Sequence, residues 1–314
     1  MADERLPAEV FRERLLAALG GPWPEPAELN ASVSRRQACD GYTLEHVAFD
    51  AEPNDRVPAV LLLPDGASAE RQAVAICVLH QHNNDWSLGK SEPAGLAGDR
   101  RQHVGVALAR AGYVVLCIDA LGFEDRQSSE LPGGDFERFL FLKYAVQGKS
   151  LAWKNILDVR RAVDYLVSRQ EVDASRIGCF GHSMGSTLTW MAGPWEPRFK
   201  ALVGNCCLPT YAGIERHRLL HCFANFIPGI LADGDTPAIV SLIAPRPLHL
   251  NFGELDAGSP IEEVRTAVRI IAAAYERQNA GNHFTHFIEP ETGHELTAEM
   301  WRRVEAFFLE HLGE

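Results

Sequence analysis

Apolar positions follow two rhythms along this chain. Continuous apolar runs of strand length occur at AVAICVLH (73–80), YVVLCID (113–119), RIGCFGH (176–182), KALVGNC (200–206), RPLHLNF (246–252) and HFTHFIEP (283–290). Between them lie RQHVGVALARAG (101–112), LAWKNILDVRRAVDYLVSRQ (151–170), the run from Met184 onward, and 260–277 and 296–311. Their apolar residues recur at three- and four-residue intervals, which predicts helices. A strand apolar at successive positions is buried on both faces, so the pattern predicts an α/β class with a mostly parallel sheet between two helix layers.

The first third reads differently. A helix over about 8–19 stops at Gly20-Gly21, and the proline-rich GPWPEP that follows is a turn or linker. TLEHVAFD (43–50) and PAVLLLP (58–64) predict two strands joined as a hairpin. Residues 1–40 are thus expected as an N-terminal helical extension, and 41–314 as one domain. The segment at about 207–245 is less regular and too short to fold alone. It predicts a small helical lid over a site.

Composition narrows the class. With 46% apolar residues among 314, the chain can bury a large core. A net charge of −12 argues against nucleic acid and anionic membranes as partners, and leaves a neutral small molecule open. Seven scattered cysteines without a C-x-x-C pair suit a reducing compartment rather than a disulfide scaffold or zinc cluster. The N-terminus has no uninterrupted apolar core of a signal peptide, and no stretch nears the roughly 18 apolar residues of a membrane span. A cytoplasmic location is the expectation. The apolar excess at 207–230 fits a homo-oligomer contact or a substrate funnel equally.

Gly181-His182-Ser183-Met184-Gly185 matches G-x-S-x-G, and it follows a predicted strand and opens a predicted helix. A strand turning directly into a helix throws the central side chain outward, and small residues on either side avoid collision. Ser183 is the expected nucleophile. A serine hydroxyl needs a base and an orienting carboxylate. Asp256 leaves the strand RPLHLNF in a loop bounded by Gly258 and Pro260 and is the expected acid, with Glu254 its competitor. His294 falls on the loop before the last helix and is the expected base. His283 and His286 lie on a strand, and His182 sits beside the serine, so all three read as packed or solvent-facing.

Two backbone N–H groups must hold the oxyanion. Met184 supplies one, and the loop His80-Gln81-His82 the other, with His82 preferred and Gln81 second. His80-x-His82 alone is too thin for a metal site, so no metal or cofactor is expected. Lys90, Glu92, Asp125 and Arg126 fall in loops at the carboxyl edge of the sheet, where they touch substrate or brace one another. Trp153 reads as helix packing.

LHQHNN followed by GKSEPAG, GYVVLCIDALGFEDR, EVDASRIGCFGHSMG, LIAPRPLHLNFGELD and the closing GHE resemble α/β-hydrolases of the dienelactone hydrolase and acetyl xylan esterase-like groups. The resemblance runs from about residue 40 to the C-terminus. It implies the α/β-hydrolase fold with an eight-stranded sheet, acyl transfer to water, and the roles named for Ser183, Asp256 and His294. Dienelactone hydrolases proper have cysteine in place of Ser183. Many relatives carry glycine where this chain has Ser186, and H-G-x where it has H-Q-H. The expected activity is hydrolysis of carboxylic esters with a short acyl group such as acetyl. The alternatives are a prolyl-oligopeptidase-like peptidase and a non-catalytic binding protein of the same fold.

Overall fold

The computed structural model describes residues 6–313. Its sheet runs through β1 (Ser32–Cys39), β2 (Tyr42–Glu52), β3 (Asp55–Pro64), β4 (Ala73–Leu79), β5 (Val114–Ile118), β6 (Val172–His182), β7 (Phe199–Asn205), β8 (Leu248–Gly253) and β9 (Phe284–Glu289). The spatial order is β1-β2-β3-β5-β4-β6-β7-β8-β9. The first three strands and the β3–β5 pair are antiparallel, and everything from β4 to β9 is parallel.

The helices are α1 (Ala8–Leu19), α2 (Val104–Arg110), α3 (Gly134–Val146), α4 (Leu151–Ser168), α5 (Met184–Ala192), α6 (Tyr211–His217), α7 (Thr236–Ser241), α8 (Ile261–Arg277) and α9 (Ala298–Leu312). They divide between the faces by where their apolar stripes fit. Val104 and Leu108 of α2 and Met300, Val304 and Phe308 of α9 close one face. α1, α4, α5 and α8 close the other, where Trp153 and Trp190 are fully buried. Truncating either indole to alanine would cost about 3–5 kcal/mol. Ser150 caps α4, its hydroxyl accepting Trp153 N–H at 3.0 Å.

The sheet has nine strands where eight were expected. The additional one, β1, lies almost wholly exposed. Its sequence SVSRRQAC lacks the apolar alternation that marks a half-buried strand, so pattern reading passes over it. The boundary expected at residue 40 therefore falls inside a hairpin, because Cys39 pairs with Tyr42 across Asp40-Gly41. Phe11, Leu15 and Leu19 of α1 also enter the main core. Helix α3 was unread as well, since its pattern is inverted: Phe139 and Leu142 are exposed while Glu137 is buried. The 207–245 segment carries α6, α7 and short helical turns at Phe223–Asn225 and Ile230–Ala232. Among the described residues no helix is long and apolar enough to cross a membrane.

Candidate active site

Ser183 joins β6 to α5 with φ 57° and ψ −117°, a region that non-glycine residues avoid. The flanking glycines make this turn feasible. A Cβ on Gly181 would lie 2.0 Å from the Gly185 carbonyl oxygen, and one on Gly185 would lie 2.0 Å from that of Leu79. Neither position admits a side chain. Ser183 N–H donates to Asn205 O at 2.9 Å, and the serine carbonyl accepts Thr187 N–H at 3.1 Å. The backbone is thereby fixed and the hydroxyl left partly exposed between buried His182 and Met184. Ser186 is buried and faces Gly204, where a Cβ would meet its hydroxyl at 2.5 Å.

Asp256 and His294 reach this serine from loops after β8 and β9. His294 Nε2 is 2.7 Å from Ser183 Oγ, and its Nδ1 is 2.7 Å from Asp256 Oδ2. Asp256 Oδ1 accepts the Gly258 N–H at 2.8 Å. A carboxylate facing Nδ1 fixes the ring proton there, which leaves Nε2 free to accept the serine proton. Burial alone would raise the Asp256 pKa. The His294 bond and charge and the Gly258 N–H outweigh it and hold the carboxyl below its usual range.

The competing residues lie elsewhere. Glu254 is partly exposed beside Arg265 at 3.2 Å. His283 Nδ1 faces the Pro245 carbonyl, and His286 is exposed on β9, stacked on Phe284. His182 is buried with its Nδ1 2.9 Å from Asn205 Nδ2, and burial pushes its pKa down to about 3. It stays neutral.

The loop after β4 begins against the first turn of α5, where the Leu79 and His80 carbonyls crowd Gly185. Among the described residues, the backbone N–H groups of Gln81 and His82 bond to no acceptor. Met184 N–H opens α5, where a helix's first N–H groups have no intrahelical partner. Gln81 Nε2 donates to Glu92 at 2.8 Å. Both histidine rings of this loop are fully used. His80 Nδ1 donates to Gln81 O at 2.7 Å and its Nε2 accepts Ala120 N–H at 3.1 Å. His82 Nδ1 accepts Asn84 N–H at 3.0 Å and its Nε2 donates to Glu137 at 2.9 Å. Neither ring has a nitrogen left for a metal.

A prolyl oligopeptidase family model matches residues 143–208, from the end of α3 through the serine turn to just past β7. A protein of Bacillus subtilis (strain 168) described as "Putative hydrolase YtaP" is 28% identical over 91% of this chain and 94% of its own length. A glucuronoyl esterase from Solibacter usitatus superposes with a TM-score of 0.74 at 18% identity, over 98% of this chain and 92% of that one. A protein of Bacteroides fragilis NCTC 9343, described as a "putative acetyl xylan esterase", superposes with a TM-score of 0.72 at 18% identity, over 90% and 74%. This chain has the α/β-hydrolase fold.

Within this α/β-hydrolase fold, the charged loops form a brace. Lys90, buried, places Nζ 2.8 Å from Asp119, 2.6 Å from Glu124 and 2.8 Å from Asp125. Burial disfavours its charge, yet the three carboxylates prevail and hold its pKa above the usual lysine value. Arg126 pairs with Asp158 at 2.6 Å and Asp55 at 3.1 Å, and Lys154 also binds Asp158 and Asp55. Asp119, Glu124 and Asp125 stand close enough to hold a cation, and Lys90 supplies it. Trp153 packs inside α4, its indole donating to Gly21 O at 3.0 Å.

Three neighbours of the site had no sequence signal. Cys206 follows β7 and lies within 4.8 Å of Asp256 and His294, as a thiol that burial keeps neutral. His221, from the 207–245 segment, donates through Nε2 to Gly258 O at 2.8 Å. Glu137 reaches the site from α3. None belongs to a motif, because each arrives by tertiary packing.

Proposed function

We propose that this protein hydrolyses carboxylic esters through Ser183, His294 and Asp256. The observation that carries this reading is the unbroken chain from Ser183 Oγ through both nitrogens of His294 to Asp256, each link 2.7 Å long. His294 takes the serine proton as Oγ bonds to the ester carbonyl carbon. The carbonyl electrons move onto oxygen, and the N–H groups of Met184 and His82 donate hydrogen bonds to that oxyanion, with Gln81 as the second choice for the latter. Collapse breaks the bond to the alcohol, which leaves with the proton from His294. Water then repeats the sequence on the acyl-enzyme and frees the acid and Ser183. Asp256 remains ionised throughout, its lowered pKa suited to balancing the imidazolium.

The esterase names of structural relatives support an ester over an amide, and a small acyl group such as acetyl is the substrate we favour. Hydrolysis of p-nitrophenyl esters from acetate to decanoate tests this. Ser183→Ala is expected to lower kcat/KM by at least about a thousandfold with Tm unchanged. A wild type inert on the whole ester series would overturn the reading. The prolyl oligopeptidase match over 143–208 favours peptide bonds as a second reading. It predicts release of p-nitroaniline from short peptide anilides at rates above those on esters.

A further inference from the structure

Glu137 lies far in sequence from every motif, yet it is only 3% exposed. Its carboxylate accepts three N–H donors. Oε2 takes His82 Nε2–H and Trp86 Nε1–H, each at 2.9 Å, and Oε1 takes Phe223 N–H at 3.0 Å. Two of these donors belong to the loop after β4, and the third belongs to the 207–245 segment. The rings of Trp86 and Phe123 pack edge-on against His82 at 5.1 and 5.0 Å and help exclude water.

The hydrogen bonds determine the His82 tautomer. Asn84 donates into Nδ1, so the ring proton sits on Nε2 and points at Glu137. His82 donates through Nε2–H, and the buried Glu137 carboxylate is held by three N–H groups. Burial pushes its pKa up, while the bonds from His82, Trp86 and Phe223 pull it below the usual value. The turn that contacts Glu137 has a second anchor two residues earlier. His221 bonds to Gly258 O at 2.8 Å, and Gly258 N–H in turn holds Asp256. One short turn thus touches the acid loop directly and the His82 loop through Glu137.

We propose that Glu137 is a positioning residue that couples the turn at 221–225 to the loop carrying His82, so that cover and oxyanion donor are set in place together. The catalytic part rests on the reading of His82 N–H as an oxyanion donor. Glu137 itself touches no substrate. A carboxylate suits the position because both of its oxygens face donors. Glutamine, of the same size, would turn an N–H toward one of them.

The test is amide hydrogen exchange on full-length Glu137→Gln, with kcat and KM on p-nitrophenyl acetate. Amides at 82–86 and 221–225 are expected to exchange faster together. Kcat should fall by about 10- to 100-fold with KM within about threefold. Wild-type protection at either segment would overturn the coupling. Loosening of both with kcat unchanged would overturn the positioning role. If Glu137→Gln does not fold, Trp86→Phe removes one donor of the three. It should loosen the same two segments to a lesser degree, and loosening of 82–86 alone overturns the proposal. A wild type that turns over no ester refutes the esterase reading, and the exchange pattern still decides the coupling.

Discussion

The two sides of the site are built from different forces. On the side of Ser183, position is set by steric exclusion around a five-residue turn, where backbone meets backbone: Gly181 against Gly185, and Gly185 against Leu79 of β4. Across the site, the loops after β4 and β5 are held by buried charges that come from distant parts of the chain: Lys90 among Asp119, Glu124 and Asp125, and Arg126 with Asp158 and Asp55. A steric device is all-or-none. An ionic brace is long-range and fails by degrees, since each lost partner leaves an uncompensated charge.

The comparison breaks most directly at Lys90. Lys90→Met leaves the buried carboxylates of Asp119 and Glu124 against an apolar side chain while Asp125 stays in solvent, and it should destabilise the fold by about 3 kcal/mol in urea unfolding. The folded fraction should still react with an active-site phosphonate within about threefold of the wild-type rate, because the serine turn does not depend on the brace. Gly185→Ala tests the opposite side. Its methyl would sit 2.0 Å from Leu79 O, at a cost of about 3 kcal/mol, and here the labelling of Ser183 should vanish with the geometry.

A smaller, graded effect sharpens the contrast. Burial lowers the pKa of His80 to about 4, of His182 to about 3 and of His249 to about 4. Below the ordinary histidine value the unfolded chain takes up protons that the folded chain refuses, so stability falls as pH drops from about 6.5 toward 4. Each histidine contributes roughly 1 kcal/mol per pH unit in that window. Urea midpoints at pH 7, 6 and 5 measure the slope. His182→Asn should flatten it in part, since His221, His286 and His311 also carry lowered pKa values.

The same division explains what the sequence disclosed. The meeting of Ser183, Asp256 and His294 was legible because each sits where a strand ends, at a position that strand order and turn residues mark out. Gly181 carries its reason within five letters, while that of Gly185 lies in the Leu79 carbonyl of β4. The parallel strands from β4 onward were legible because burial on both faces leaves an unbroken apolar run. Glu137 and His221 gave no such signal. Glu137 lies on a helix whose apolar residues point outward, and His221 lies in a segment without periodicity. Lys90 and Arg126 were singled out as charged loop residues, but the carboxylates that occupy them come from up to 71 residues away. β1 went unread because nothing about an exposed polar strand distinguishes it from a loop.

That same strand carries a colloidal consequence. β1 is the outermost strand on its side of the sheet, and a free strand edge is a template on which another chain can pair. This edge bears Arg35, Arg36 and Gln37 in exposed positions, and its register slips between Val33 and Arg35. Charge and irregularity together make it a poor partner for intermolecular β-pairing. The feature that hid β1 from pattern reading is therefore also what disfavours edge-to-edge pairing along it.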